Sequence, residues 1–189
     1  MTTDLERRAA PIGAEGTKIR GLAIPFNVAS ADLGGFVEIV LAEALDRTFT
    51  EQLDVRALVD HDAAKVIGRT KAGTLTLRKA SDGLHVEITP PDTTAGRDVL
   101  ESVRRGDVDG MSIGFHVVRP NGDRFETRDG RMTRIVTDLR LIEVSIVTFP
   151  AYGATDATVA QRSLATYRAG RGRPVAWLRR ALAVGRIIP

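Results

Sequence analysis

A lone serine stands between two glycines in Gly110-Met111-Ser112-Ile113-Gly114. The run fits G-x-S-x-G, a pattern in which a hydrolase offers a nucleophilic hydroxyl on a turn poor in side chains. A serine hydroxyl attacks a carbonyl only when a neighbouring base takes its proton, and that base is usually histidine. The chain has three histidines, His61, His85 and His116. His85 sits between Leu84 and Val86 and reads as an ordinary strand residue. His116 is four residues from Ser112, on the same strand face but about two strand pairs away. His61 lies in Ala57-Leu58-Val59-Asp60-His61-Asp62, where an apolar strand gives way to a turn flanked by carboxylates. A strand-end histidine in that setting suits proton transfer, and His61 is the best base in the sequence. The α/β-hydrolase version of the motif is excluded, because it needs the chain order serine, acid, histidine. Only His116 follows Ser112 here.

Elements that position these residues are mostly strands. Alternation marks strands at 17–24, 73–78, 84–88, 113–118, 133–139 and 141–148. The turn Ala80-Ser81-Asp82-Gly83 joins two of them into a hairpin. Leu41, Leu45 and Phe49 at i, i+4 and i+8 suggest one helix. A second, capped by Thr94 and ended by Gly106, buries Val99, Leu100 and Val103 and leads directly into the Ser112 stretch. Many short strands with two helices point to a barrel or sandwich with helical decoration.

Composition removes several classes of function. The chain has 189 residues, a size for one domain with appendages. It has no cysteine, so disulfides, thiolate metal sites and a cysteine nucleophile are excluded. No window approaches the roughly 18 apolar residues of a membrane span. The segment MTTDLERRAAPIGAEG is charged and lacks the apolar core of a secretory leader. No metal-ligand cluster or phosphate loop appears, so no cofactor and no metal are expected. Residues 162–189 hold seven arginines and no acid, which leaves 20 basic against 24 acidic side chains in the rest. A slightly acidic body therefore ends in a basic tail, whose Pro174-Val175-Ala176-Trp177-Leu178-Arg179-Arg180 reads as a short amphipathic helix. A tail of this kind is solvated or docks on an acidic partner. Nucleic acid is disfavoured by the acidic body and the 5% aromatic content.

Four motifs in one order then carry a resemblance. They are Leu58-Val59-Asp60-His61-Asp62, Ile67-Gly68-Arg69, Asp107 to Phe115, and Glu143-Val144-Ser145-Ile146-Val147-Thr148-Phe149-Pro150-Ala151-Tyr152. Together they resemble the prohead protease family of HK97-type tailed phages, also found in prophages and gene transfer agents. Gly21 to Asn27 resembles that family's opening strand and turn, and Val40 to Phe49 its first helix. The resemblance spans residues 17–158.

It implies an α+β, mainly β fold, a small closed β-barrel surrounded by a few helices and related to herpesvirus assemblin. It implies a serine endopeptidase that acts inside the procapsid, in the host bacterial cytoplasm. The implied partners are the major capsid protein with its scaffolding segment and the protease itself, through autocleavage; a homo-oligomer is left open and no membrane is involved. Ser112 matches the nucleophile and His61 the base. Glu143 matches the third member, with Asp62, Asp60 and His116 as alternatives. Ile113, Gly114 and Arg119 form the candidate oxyanion region, with Arg69 as a further electrostatic helper. The implied organisation is an N-terminal arm over 1–16, a protease domain over 17–161 and a basic tail over 162–189. A non-catalytic capsid-assembly scaffold on the same fold is the alternative.

Overall fold

The computed structural model describes residues 12–118, 120–148, 165 and 168. The chain is mainly β with few helices. Strands β1 (Ile12–Glu15), β2 (Lys18–Pro25), β7 (Gly83–Ile88) and β6 (Leu75–Lys79) form one sheet, in the order β1-β2-β7-β6. Strands β3 (Val37–Val40), β10 (Arg131–Val136) and β9 (Asp123–Arg128) form a second, in the order β3-β10-β9. The third holds β5 (Asp62–Arg69), β4 (Arg56–Val59), β11 (Leu139–Val147) and β8 (Gly110–Val117), in the order β5-β4-β11-β8. No closed barrel is found among the described strands; their ladders make three sheets.

The two four-stranded sheets share one core. Ile19, Leu84 and Ile88 from the first meet Ala57, Val144 and Ile146 from the third in a single apolar cluster. Helix α2 (Thr94–Arg105) closes this cluster with Val99 and Val103. The second sheet has its own small cluster, in which Phe36 and Phe125 meet edge to face with centroids 5.7 Å apart. It also buries an ionic group: Arg134, 3% exposed, bonds Glu38 and Asp123, each at 2.8 Å. Glu38 and Arg134 are register partners across the parallel pair β3–β10, so the ladder itself brings the charges together.

Three local differences from the sequence reading have clear causes. The strand Ile12–Glu15 falls inside the segment read as an arm, residues 1–16. Gly16, at φ 58°, lets the chain reverse tightly, and Ile12 and Ala14 pack on the core. The first helical segment begins as a 3₁₀ turn, Ala42–Leu45, before α1 (Asp46–Thr50). Three residues per turn rotate the buried stripe, so Ala44, Leu45 and Thr48 face inward while Phe49 is exposed. The cap of α2 is Thr93 rather than Thr94: the Thr93 hydroxyl accepts from the Gly96 N–H at 3.3 Å. Gly106 ends the helix at φ 77°, as expected. The tail over 162–189 lies outside the described residues apart from 165 and 168.

The cap difference is measurable. Thr93→Ala should cost about 1 kcal/mol in urea denaturation, the usual loss for a deleted N-cap. Thr94→Ala should stay within about 0.5 kcal/mol of the parent, as for a surface change. Equal losses would mean that Thr93 is not the cap.

Candidate active site

The site is built on the third sheet, and its geometry begins with a change of side-chain parity in β11. Leu139 and Leu141 point into the core cluster, and so do Val144 and Ile146. A regular strand could not do this, since alternation would carry Leu141 to residue 143 on the same face. The register shows the cause: Phe115 pairs with Leu141 and Gly114 with Glu143, so Ile142 is an extra residue in a β-bulge. Ile142 is expelled, 38% exposed. Beyond the bulge, Glu143 and Ser145 occupy the face opposite the core.

That face also belongs to Ser112. Met111 and Ile113 of β8 enter the core cluster, which turns Ser112, Gly114 and His116 the other way. Ser112 stands directly opposite Ser145 and Gly114 opposite Glu143 in the antiparallel ladder. Directly opposed side chains have Cβ atoms ~5 Å apart.

His61 reaches the same face through a tight turn. Val59 pairs with Asp62, so only Asp60 and His61 connect β4 to β5. Both have positive φ, 49° and 57°. Two such residues are what a I′ hairpin turn requires, and Asp and His tolerate the region better than most. The Asp60 N–H donates to the Ile146 carbonyl at 2.9 Å, and the Thr148 N–H donates to Asp60 Oδ1 at 3.0 Å. The turn is thereby fastened to the end of β11.

Its imidazole meets the buried carboxylate. His61 Nδ1 lies 2.6 Å from Glu143 Oε1. The Ser145 hydroxyl donates to Glu143 Oε2 at 2.6 Å, and the His61 N–H donates to Ser145 Oγ at 3.2 Å. A carboxylate accepts, so Nδ1 carries the ring proton and Nε2 is the ring's basic nitrogen. Glu143 is 8% exposed as a residue. A carboxyl buried to that degree without donors would cost several kcal/mol. Arg56, its register neighbour on β4, turns instead to the Asp54 carbonyl and carboxylate.

The alternatives for the third position are engaged elsewhere. Asp62 accepts from the Ala64 N–H at 2.9 Å, and that bond holds its carboxyl below the usual range against a smaller opposing effect of burial. Asp60 serves Thr148. His116 is exposed and pairs in register with Arg140, away from the turn. Arg69 sits at the far end of the β4–β5 hairpin, opposite Arg56. Its guanidinium grips Asp54, and that bond draws the Asp54 carboxyl down to about 2. Ile113 has its side chain in the core, and Arg119 lies outside the described residues. Among the described residues no group of three or more His, Asp or Glu could hold a metal ion, and no helix is long and apolar enough to cross a membrane.

Gly114 has a specific reason to be glycine. A Cβ there would lie 2.3 Å from Glu143 Oε1 and 3.0 Å from its Cδ. The carboxylate occupies the space above the glycine, on its way to His61. The absence of a side chain at 114 is thus required by Glu143.

A profile of the caudovirus prohead serine protease family matches residues 3–169. The chain belongs to that family. Prohead serine proteases serve capsid maturation, and the phage setting read from the motifs agrees with the match. No curated protein and no solved structure matches the chain. Against that background, the sequence named the three residues now seen sharing the outer face of the third sheet, but gave Ser145 no role. Its signal was available: Glu143 and Ser145, two apart on a strand, must face the same way.

The clash at Gly114 gives a test. Gly114→Ala should lose about 1–3 kcal/mol in urea denaturation through overpacking. Introduced into Glu143→Ala, the same change should cost less than about 0.5 kcal/mol, since the clashing carboxylate is gone. Equal costs in both backgrounds would show that something other than Glu143 demands the glycine.

Proposed function

We propose that this chain is a serine endopeptidase that cleaves the scaffolding part of the major capsid protein, and itself, inside the procapsid in the host bacterial cytoplasm. The observation that carries the mechanism is the His61–Glu143 contact on the sheet face that bears Ser112. The family match supports the reaction class. In its family's terms, the two four-stranded sheets wrap the shared core as an assemblin-like barrel. Close approach of β2 to β8 supports this, since a Cβ at Gly21 would lie 2.9 Å from Met111 Sδ.

In this mechanism His61 Nε2 takes the proton of Ser112 Oγ as the oxygen attacks the peptide carbonyl carbon. The imidazolium is held by Glu143, which fixes the tautomer and offsets the new charge. His61 then passes the proton to the leaving amide nitrogen, and the C–N bond breaks to leave an ester on Ser112. Water attacks the ester and gives its proton to His61, which passes it to Ser112 Oγ as the ester C–O bond breaks, freeing the acid product and restoring the serine hydroxyl and neutral imidazole. The oxyanion region is assigned to Ile113 and Gly114, next to the nucleophile, with Arg119 as an electrostatic aid. One well-placed donor is worth about 3–4 kcal/mol in such sites. The basic segment 162–189, tethered to the body, is assigned to docking on acidic capsid or scaffold surface and to self-cleavage. Tethering supplies effective concentrations that reach about millimolar.

A fluorophosphonate probe, which phosphonylates activated serines, tests the site without knowledge of the substrate. Mass spectrometry should find one adduct on the full chain, at Ser112, and none on Ser112→Ala. His61→Ala and Glu143→Gln should each slow labelling about 100-fold or more while circular dichroism is unchanged. Labelling of His61→Ala within tenfold of the parent would remove it as the base. A neutral Glu143→Gln beside a crippled Asp62→Asn would move the third role to Asp62. No labelling of the parent chain would favour the non-catalytic scaffold.

The tail has its own test. A chain ending at Gln161 should still be labelled at Ser112, yet fail to enter particles when co-expressed with the capsid protein. Normal incorporation would show that the tail is not the docking element.

A further inference from the structure

The Ser145 hydroxyl is fully enclosed, 0% exposed, and both of its partners belong to the His61–Glu143 pair. A hydroxyl has one proton to give and two lone pairs to offer. The His61 backbone N–H can only donate, so Ser145 Oγ accepts there, and its own proton goes to Glu143 Oε2. With His61 Nδ1 on Glu143 Oε1, the three residues close a cycle that returns to His61 through its own backbone.

We propose that Ser145 is a positioning residue for the proteolytic reaction, setting which Glu143 oxygen meets His61 and holding the His61 turn against β11. This rests on the assignment of His61 and Glu143 as base and orienting acid. Two features make such a device necessary. The terminal torsion of a glutamate is broad, so one hydrogen bond leaves the carboxylate free to swing. His61 sits at φ 57°, in a region that persists only when its surroundings hold it. One oxygen atom answers both needs. Ser145 also stands opposite Ser112 in the ladder, so the element that orients the base is in register with the nucleophile.

A purely structural serine would make different predictions. The experiment measures fluorophosphonate labelling of full-length parent, Ser145→Ala, Glu143→Gln and the double variant, with urea denaturation run on each. Ser145→Ala should slow maximal labelling about 10- to 100-fold, the scale of a lost hydrogen bond to a charged group. The probe concentration for half-maximal rate should move less than about twofold, since Ser145 does not touch the probe. In the Glu143→Gln background the same change should slow labelling less than about twofold further, because Ser145 acts through Glu143. Equal slowing in both backgrounds, or none in the parent, overturns the proposal. Should Ser145→Ala fail to fold, Ser145→Cys keeps nearly the same shape with a weaker donor. It should label at an intermediate rate, and a parental rate would overturn the need for the hydroxyl. An unchanged rate in Glu143→Gln alone would instead sink the triad assignment itself, an outcome distinct from the failure of Ser145.

Discussion

One carboxylate organises this end of the molecule. Glu143 is nearly enclosed, and an enclosed carboxylate demands hydrogen-bond donors on both oxygens. His61 and Ser145 supply them. Several otherwise separate features follow from that demand. The bulge at Ile142 turns Glu143 away from the apolar core, where no donor waits. The positive-φ turn at Asp60-His61 folds an imidazole back over the sheet. Gly114 gives up its side chain so that the carboxylate can lie across β8. Each would be a local irritation alone; together they form one device.

The fold contains a second buried ionic group, and the comparison is instructive. Around Arg134 the side chains of Arg134, Glu38 and Asp123 are each only 2–3% exposed. Such a cluster is closed to solvent, and it ties β10 to β3 and β9 within the second sheet. The Glu143 cluster has a gradient instead: the carboxylate side chain is 11% exposed and the imidazole 36%. Charge is anchored in the interior and presented at the surface. The proton transfer proposed for His61 needs that arrangement, whereas a fully enclosed ionic group has no such requirement.

Much of this was legible in the sequence, and the reasons for the gaps are physical. The hairpin of β6 and β7 and the helix α2 announced themselves through regular alternation or clean end signals. Ser112, His61 and Glu143 could be singled out as candidates because few residues in the chain have the right chemistry, and the structure places all three on one sheet. The bulge was not, because one extra residue among Leu139-Arg140-Leu141-Ile142-Glu143-Val144 leaves every residue type plausible on either face. Only the register reveals that Ile142 is the one expelled. The strand Ile12–Glu15 is too short for periodicity to register. The Arg134 group joins positions that no local pattern connects, 96 residues apart for Glu38. Thr93 and Thr94 both suit a cap, and the choice depends on where the chain turns after Pro91.

The G-x-S-x-G run sits in a setting unlike the one that defines the pattern. In the hydrolases that define that pattern, glycines flank a serine on a sharp strand-to-helix turn. Here helix α2 precedes and Ser112 lies inside an extended strand, so no elbow exists. The glycine two residues on is set by the carboxylate that lies over it from the neighbouring strand. Its place in the motif is therefore evidence about Glu143 as much as about Ser112. In this chain the glycine two residues beyond Ser112 leaves room for an acid to lie across β8 from the neighbouring strand.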